Sequence, residues 1–340
     1  MGVDIGSLFR TETIDFNNLA DKIIVIDAYN VLHQFLASIR QRDGTPLKDA
    51  EGNTTSHLSG ILQRTANLLE SHIKPVYSFD GTPHPLKSAT LEQRKQRKIQ
   101  AEKEYQIALE KGDLKTARSK AQQTGRLTDD MITETKQLLS ALGIPYVQAP
   151  SEGEAQACYM VKKGDAFAVG SQDYDCLLVG TPILVRNLTS SGRRKLPGKE
   201  AYTKVSIKQI RLQENLDSLE ITHEQLVDMA IMIGTDFNPG IHRIGPKRSL
   251  SLIKKHGTLE TVLDGLETDE KPTQTDIDTI RSLFLNPDVT DSYNLTWEKP
   301  DSSRVIEILC ERHQFGKPRI QEILKKFSDT EQITKQETLF

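Results

Sequence analysis

Two short apolar runs, each ending in an aspartate, constrain the fold more than any other feature of this 340-residue chain. Residues 22–27 read Lys-Ile-Ile-Val-Ile-Asp, and residues 75–80 read Pro-Val-Tyr-Ser-Phe-Asp. Apolar runs of this length, rich in β-branched and aromatic residues, predict buried strands. Between them, the spacing of apolar residues predicts a helix over residues 59–71. A strand, a helix and a strand in this order favour a parallel sheet.

Further elements extend the same α/β pattern. A helix is predicted over residues 130–142, and Gly143 ends it. Strands are predicted at residues 144–147, 165–170 and 183–185. The first half of the chain is therefore expected to form a doubly wound α/β fold with a parallel-sheet core.

A basic insertion interrupts this core between residues 87 and 126. It contains eleven Lys or Arg and five Asp or Glu, which leaves a local charge of +6, whereas the whole chain carries −3. Its apolar residues are too few and too scattered to bury a continuous helix face. A solvated helical hairpin without a role would explain such a run, but an excess of one sign favours a surface for a polyanion such as nucleic acid.

The second half of the chain is mostly helical. We predict a helix over residues 224–233, a glycine-containing hairpin and a second helix over residues 249–256. Gly245 lets a phosphate approach the backbone, and the helix start that follows offers free N–H groups beside Lys247 and Arg248. This pattern indicates a helix-hairpin-helix element, although an ordinary Gly-Pro helix start is an alternative. Later helices are predicted over residues 304–313 and 318–327.

These patterns divide the chain into three parts. The α/β core is expected to span residues 1–220, with the insertion at 87–126. A helical region follows over residues 221–330, and a tail occupies residues 331–340.

Seven acidic residues fall where such a fold would bring them together. In an open parallel sheet, ligands bind in the crevice at the carboxyl ends of the strands. Four of the acids follow predicted strands, two open a helix in which Ser151 and Glu154 match a capping box, and one ends an apolar helix. In that order they are Asp27, Asp80, Asp173 and Asp175, then Glu152 and Glu154, then Asp236.

The joint pattern of these acids predicts a metal site. Each acid alone has an ordinary explanation as a cap, a loop residue or a turn former, but together they would repel one another unless cations lay among them. Carboxylates are hard ligands suited to Mg²⁺ or Mn²⁺, and the three cysteines lie too far apart to indicate zinc. Two ions about 4 Å apart can activate a water and stabilise both oxygens of a phosphodiester. An acidic metal site beside basic surfaces predicts a nuclease.

The motifs resemble, in order and over nearly the whole chain, those of the flap endonuclease family of structure-specific 5′ nucleases, above all its archaeal members. The motifs that carry the resemblance are Met1-Gly2-Val3, Val25-Ile26-Asp27-Ala28, Ile73-Lys74-Pro75-Val76-Tyr77, Phe79-Asp80-Gly81, Leu86-Lys87-Ser88, Ala149-Pro150-Ser151-Glu152-Gly153-Glu154-Ala155, Ser171-Gln172-Asp173-Tyr174-Asp175, Gly234-Thr235-Asp236 and Ile244-Gly245-Pro246-Lys247. The resemblance implies a PIN-like nuclease core, an arch formed by the insertion through which a 5′ single strand passes, and a helix-hairpin-helix region.

The resemblance also implies roles for individual residues. The seven acids match the family's metal-site residues, and Lys87 and Arg94 match its catalytic basic residues at the foot of the arch. His33 stands where family members often carry a tyrosine that stacks on nucleic acid, and an imidazole can also stack. Contacts with DNA are expected from Gly2, His33, Arg40, Arg64, Arg186, Gly245, Lys247 and Arg248. For Arg40, Arg64 and Arg186, the resemblance to the family is a weaker guide than it is for the acids.

The functional hypothesis is a Mg²⁺-dependent 5′ flap endonuclease and 5′-3′ exonuclease that uses two ions, with Mn²⁺ as a substitute. It would act in DNA replication, on Okazaki fragments, and in repair. A related 5′ nuclease with a preference for bubbles or nicks is an alternative of the same fold. A catalytically silent DNA-junction binding module is an alternative of another class, but a pure binder gains nothing from seven carboxylates beside phosphate.

The expected partners are branched DNA with a 5′ flap and the sliding clamp. No apolar run reaches the roughly 20 residues that span a bilayer, and no signal peptide is recognisable, so a cytoplasmic protein is expected. We also expect the protein to be a monomer. The family commonly ends in a clamp-binding peptide, Gln-x-x-aliphatic-x-x-aromatic-aromatic. This chain has Gln336 and Leu339 but only one, displaced aromatic residue, Phe340, so that either the motif is shortened or the natural protein is longer.

Deleting residues 336–340 tests the clamp hypothesis. The deletion should leave cleavage of a free oligonucleotide flap unchanged, because no residue predicted to bind metal or DNA is removed, and should abolish stimulation by the sliding clamp. Cleavage rates of both forms, with and without the clamp, provide the measurement. Equal stimulation of the two forms would show that the tail is not the contact.

Overall fold

A mostly parallel sheet of seven strands forms the centre of the protein. The computed structural model describes residues 2–41, 43–189, 193–195, 202–268 and 271–328. The strands of the sheet are β1 (Glu12–Ile14), β2 (Ile23–Asp27), β3 (Lys74–Phe79), β4 (Tyr146–Gln148), β5 (Ala168–Gly170), β6 (Ile183–Arg186) and β9 (Ile207–Arg211), and β7 (Arg193–Lys195) pairs with β8 (Tyr202–Lys204) in a separate two-stranded sheet.

The strand order in the main sheet is β1-β9-β6-β5-β2-β3-β4. The five strands from β6 to β4 are parallel, whereas β9 pairs antiparallel with β6, and β1 pairs antiparallel with β9. The predicted parallel α/β core is therefore confirmed, with an antiparallel edge that the sequence analysis did not include. The chain moves outward from β2 in both directions, through β3 on one side and β5 on the other, which creates a crevice at the carboxyl end of β2.

Helices cover both faces of the sheet. Alternation along β2 shows the division, because Val25 belongs to one buried apolar cluster and Ile24 and Ile26 belong to the other. The helices are α1 (Ala28–Ser38), α2 (Ser56–Glu70), α3 (Ser88–Glu110), α4 (Leu114–Ala121), α5 (Asp129–Ala141), α6 (Gly153–Lys163), α7 (Asp175–Val179), α8 (Leu212–Leu219), α9 (His223–Ile233), α10 (Pro246–His256), α11 (Leu259–Asp264), α12 (Gln274–Leu285), α13 (Ser302–Ile306) and α14 (Lys317–Ser328).

The helix predicted over residues 304–313 is split. Residues Ser302–Ile306 form α13, and the chain then continues as a π-helical turn over Glu307–Arg312. The other predicted helices correspond to α2, α5, α9, α10 and α14, with bounds that differ by a few residues. No helix in the described part of the chain is long and apolar enough to cross a membrane.

The basic insertion forms a helical hairpin of α3 and α4. The predicted shortage of apolar packing is confirmed, because Leu91, Ile107 and Leu114 are all exposed. The side chains that α3 and α4 bury are small, and they are Ala101, Ala108, Ala117 and Ala121. The two helices are therefore joined through methyl groups rather than through a large apolar core.

The second half of the chain packs on both faces of the sheet. Helices α9 to α12 share one cluster with α6 and α7, whereas α13 and α14 join the opposite cluster with α2 and α5. An extended segment between α12 and α13 connects them, and Trp297 in that segment donates a 3.1 Å hydrogen bond to the Pro75 carbonyl of β3. The division at residue 220 stays a prediction, and residues 331–340 lie outside the described ranges.

An ion-pair network ties the helices of the second half together. The Arg281 guanidinium on α12 donates to both carboxylate oxygens of Asp228 on α9, at 2.7 and 3.0 Å, and it also contacts Glu260 on α11. Asp228 is 5% exposed, and burial raises the pKa of its carboxyl even beside Arg281. Removing one partner of a buried pair leaves the other charge uncompensated.

We predict that Arg281→Ala lowers the free energy of unfolding by about 3 kcal/mol at pH 7. Without the guanidinium, the folded state binds a proton on Asp228 more readily than the unfolded state does, so the loss should shrink as the pH falls. Urea denaturation at pH 7 and pH 5 provides the measurement. The exposed pair of Arg312 with Glu307 supplies a control, because Arg312→Ala should cost under about 1 kcal/mol. Similar losses in both variants would contradict the prediction.

Candidate metal centre and nucleic-acid interface

Four of the predicted acids lie at the carboxyl ends of neighbouring strands. Asp27 ends β2 and caps α1, where its Oδ1 accepts a 3.0 Å hydrogen bond from the Asn30 amide. Asp80 follows β3 directly. Asp173 and Asp175 follow β5, which pairs with β2 on the side opposite β3. The strand order thus brings these acids together, as the sequence predicted, at the end of the sheet where the parallel strands have their carboxyl termini. We call this end the acidic edge.

The two glutamates open α6 beside the same edge. Glu152 is the N-cap residue, with an extended backbone, and its own side chain makes no capping hydrogen bond. The predicted capping box of Ser151 with Glu154 is therefore wrong. The Glu154 carboxylate turns away from the helix start and accepts hydrogen bonds from the Cys176 amide at 3.1 Å and the Cys176 thiol at 2.6 Å. In a capping box, the Glu154 carboxylate would instead have accepted a hydrogen bond from the backbone amide of the N-cap residue.

Burial and mutual repulsion make the carboxyl groups weak acids. Burial, together with the nearby charge of Asp80, raises the pKa of Asp27 to about 8. Burial and Glu152 raise the pKa of Asp80 to about 6, and burial and Asp173 raise the pKa of Asp175 to about 7. The side chains of this chain therefore do not fully balance the negative charge gathered at the edge.

Two basic residues face the acids, Lys87 directly before α3 and Arg94 in its second turn. Lys87 Nζ lies 2.5 Å from Glu152 Oε2 and 3.9 Å from Asp236 Oδ2, and Arg94 donates to both oxygens of Asp236 at 2.7 Å. Burial acts to lower the pKa of the Lys87 ammonium, but the neighbouring carboxylates outweigh it and the pKa is raised. The spacing of two helical turns does bring both residues to one face, as predicted.

Backbone amides at the start of the chain approach two of the acids. The Gly2 amide donates to Asp173 Oδ1 at 2.7 Å, and the Val3 amide donates to Asp175 Oδ1 at 2.7 Å. A Cβ atom on Gly2 would lie 2.4 Å from Asp175 Oδ1. Glycine at this position is therefore required by the closeness of the carboxylate.

The acids are assembled, but their oxygens do not converge on one point. Within the described ranges, no group of three or more His, Cys, Asp or Glu is arranged to close around a single ion. Internal donors engage most of these side chains, as the Gly153 amide does for Asp80 at 2.7 Å. Glu152 Oε1 differs, because it is buried without a hydrogen-bond partner. An unpaired buried carboxylate oxygen among further acids is a donor set that suits a hard cation.

His33 lies on α1 below the arch. The imidazole keeps an exposed surface, and its partial desolvation together with the positive charges of Lys98 and Arg94 lowers its pKa. Arg64 lies in the middle of α2, and burial lowers the pKa of its guanidinium. The assignment of both residues as DNA contacts stays a prediction.

Arg40 and Arg186 make contacts within the chain. Arg40 donates to the carbonyls of Leu36 and Gly44 and so holds the loop that follows α1. The Arg186 guanidinium carbon lies 4.0 Å from the ring centroid of Tyr174, and Arg186 also donates to the Tyr174 hydroxyl. Tyr174 separates Asp173 from Asp175 in sequence, so Arg186 contacts the segment that carries these two acids. DNA contact by either arginine stays a prediction.

The predicted hairpin lies between α9 and α10. Gly240 has φ +78°, and a Cβ there would lie 2.4 Å from the Ile233 carbonyl, so the turn itself requires glycine. Gly245 differs, because it caps α10 with φ −105° and a Cβ there would meet nothing within 4 Å. Neither packing nor backbone conformation requires this glycine, so the ordinary Gly-Pro helix start stays an alternative to a phosphate site. Lys247 and Arg248 are exposed beside it.

Two neighbours of the predicted acids went unnoticed in the sequence. Cys176, after Asp175, donates to Glu154, and Phe237, after Asp236, lies 5.3 Å from Lys87 Nζ. The available signal was only their position next to predicted metal-site acids. The predicted clamp residues Gln336, Leu339 and Phe340 lie outside the described ranges.

Comparisons with known proteins agree with this arrangement. The chain matches the XPG N-terminal domain over residues 6–101 and the XPG I-region over residues 143–236. It is 52% identical to flap endonuclease 1 of Thermofilum pendens, and the match covers 96% of this chain and 94% of that protein. It is 48% identical to flap endonuclease 1 of Methanococcoides burtonii, and that match covers 96% of this chain and 95% of the relative. The solved structure of flap endonuclease-1 from Methanococcus jannaschii is 41% identical, with a TM-score of 0.77 and coverage of 97% of this chain and 98% of that chain.

The chain belongs to the flap endonuclease family. Membership makes it a nuclease and implies the use of a divalent metal. The fold, with its parallel sheet, its acidic edge and its helical insertion, is that of the flap endonucleases.

Gly2→Ala tests the backbone contact with the acids. The added methyl group must displace Asp175, so we predict a roughly ten- to hundred-fold lower single-turnover cleavage rate, as when active-site geometry shifts by about 1 Å. Gly265→Ala is a matched control, because a Cβ there meets carbonyl oxygens only at 3.7 and 3.8 Å. Rates at saturating enzyme, with thermal unfolding of both variants, provide the measurement. An unchanged rate for Gly2→Ala would contradict the role of this contact.

Proposed function

We propose that the protein is a structure-specific 5′ flap endonuclease and 5′-3′ exonuclease that hydrolyses phosphodiesters at junctions of single-stranded and duplex DNA with two Mg²⁺ ions. Mn²⁺ would substitute for Mg²⁺. The observation that carries the proposal is the buried, mutually repelling carboxylate cluster, with Lys87 and Arg94 directed into it. Family membership supports the same reaction.

Seven acids would hold the ions. The unpaired Oε1 of Glu152 and the all-oxygen donor set favour Mg²⁺ over zinc. When bound, such ions activate a water and stabilise the attacking and leaving oxygens of an in-line displacement. The proposed ligands are Asp27, Asp80, Glu152, Glu154, Asp173, Asp175 and Asp236.

Lys87 and Arg94 would bind the reacting phosphate. Their cationic groups lie at the acidic edge itself, and Lys87 is only 16% exposed, so its charge is weakly screened by water. A positive charge fixed in position before the reaction stabilises the negative charge that develops on the phosphoryl oxygens. The pair also offsets the repulsion between the carboxylates and an approaching polyanion.

Duplex DNA would be held away from the cut. The open backbone at Gly245 suits the close approach of a phosphate, and Lys247 and Arg248 supply positive charge. The basic hairpin of α3 and α4 would surround the 5′ single strand. We propose further, weaker contacts from Gly2, His33, Arg40, Arg64 and Arg186.

Replication and repair intermediates that carry 5′ flaps are the proposed substrates, and the sliding clamp is a proposed partner through the tail. The protein would act as a monomer in the cytoplasm. A catalytically silent junction-binding module is not favoured, because such a module would not need a buried acidic cluster that repels its ligand.

Asp175→Asn separates cleavage from binding. This nearly isosteric change removes one proposed ligand, so we predict a loss of about a thousand-fold or more in the single-turnover rate on a labelled 5′-flap oligonucleotide with Mg²⁺. The dissociation constant for the flap should change little, because the basic surfaces remain. Asp264→Asn, on the exposed end of α11, serves as a matched control that keeps the wild-type rate. Chelator should abolish cleavage by the wild type. Cleavage by Asp175→Asn at the wild-type rate, or cleavage in chelator, would overturn the proposal.

A further inference from the structure

Phe237 places an aromatic ring against Lys87. This residue follows Asp236 in the turn between α9 and α10, and its side chain is half-buried. The Lys87 ammonium lies 5.3 Å from the centroid of the ring. The distance is within the range in which a cation is attracted to the electron-rich face of an aromatic ring.

The ring itself is held by two aromatic neighbours. Phe284 on α12 packs edge-on against it, with centroids 5.5 Å apart and an interplanar angle of 74°, and His84 does the same at 6.3 Å and 82°. The Phe237 amide donates a 3.0 Å hydrogen bond to Thr235 Oγ1. Side chain and backbone are thus both anchored, so the ring can act as a fixed surface for a flexible lysine.

Lys87 needs such a surface. A lysine side chain has four rotatable bonds, and fixing it costs about 2 kcal/mol of rotamer entropy. Its other close partners are the carboxylates of Glu152 and Asp236. Under the proposed function, both carboxylates also serve a divalent cation, which repels the ammonium and competes for the same oxygens. An aromatic ring attracts the ammonium without neutralising it and without binding Mg²⁺, so its hold persists when the acids are engaged.

We propose that Phe237 is a positioning residue for Lys87, which keeps the ammonium directed at the reacting phosphate while the carboxylates are bound to metal. The inference rests on the proposed function, because it assigns Phe237 a part in the action of Lys87. It also connects two regions of the chain. Phe237 lies eight residues before Gly245 in the segment that links α9 to α10, so the proposed duplex-binding hairpin carries the ring that positions a residue at the foot of the arch.

The surroundings of Phe237 make the idea testable by substitution. The ring borders a cavity of about 580 Å³, whose lining also includes Leu86, His242 and Ile280. A larger or hydroxylated aromatic side chain can therefore be accommodated. Leucine keeps apolar packing but has no aromatic face, whereas tyrosine keeps the face.

The experiment is a double-mutant cycle of Phe237→Leu and Lys87→Ala, read as the single-turnover rate at saturating enzyme and as the dissociation constant for a 5′ flap. We expect Phe237→Leu to lower the rate about ten-fold, with the dissociation constant changed by less than about two-fold. Phe237→Tyr should retain the rate. In the Lys87→Ala background, Phe237→Leu should have no further effect, because the group that it positions is gone. Phe315→Leu, a half-buried aromatic residue in the other apolar cluster, is the matched control and should leave rate and affinity unchanged.

The outcomes separate the inference from the proposed function. Equal effects of Phe237→Leu in both backgrounds would show that Phe237 acts independently of Lys87, and would overturn the inference while leaving the nuclease activity intact. A wild-type rate for Phe237→Leu would overturn it as well. Equal losses in Phe237→Leu and Phe237→Tyr would point to packing and reject the role of the aromatic face. Failure of the proposed function would appear instead in Asp175→Asn, as undiminished cleavage. Thermal unfolding of each variant shows whether a rate is lost through the fold.

Discussion

The repulsion among buried carboxylates at one edge of the sheet is the constraint on which the rest of the structure depends. Burial and like charge raise the pKa of Asp27, Asp80 and Asp175, so the fold gathers groups that would otherwise separate. The amides of Gly2 and Val3, the start of α6 and the two basic residues that face the acids all direct positive charge or N–H groups at this edge. They reduce the repulsion without removing it, which leaves the edge ready for a cation and then for a phosphate.

The site is also the point at which distant parts of the chain meet. Asp236 comes from the end of α9, yet it binds Arg94 of α3 and lies near Lys87. A single apolar cluster continues from the sheet through α6 and α7 into α9, α10 and α12, so the helical second half is packed against the acids with little freedom to shift. Under the proposed function, duplex DNA positioned by α10 would therefore be coupled through this packing to the reacting groups.

Much of this arrangement could be predicted from the sequence, because strands that end in aspartate carry both the fold and the chemistry in one pattern. The parallel direction of β2 and β3 followed from that pattern, and so did the meeting of their acids, whereas the order of the strands was not predicted. The capping box at Ser151 failed, since local spacing cannot show that the Glu154 carboxylate finds a distant partner in Cys176. The antiparallel edge strands, the contacts of Arg186 and the ring of Phe237 depend on long-range packing, which leaves no periodic signal in a single sequence.

The alanine-lined contact between α3 and α4 gives the molecule a compliant part on a rigid base. Four buried methyl groups contribute on the order of 3 kcal/mol, at about 0.8 kcal/mol for each buried carbon. An ion pair between Lys120 and Glu104 adds a partly exposed contact, so separating the two helices should cost less free energy than deforming the interlocked core below. Under the proposed function, the entrance formed by α3 and α4 would therefore adjust to the width of a nucleic acid while the reacting groups beneath keep their spacing.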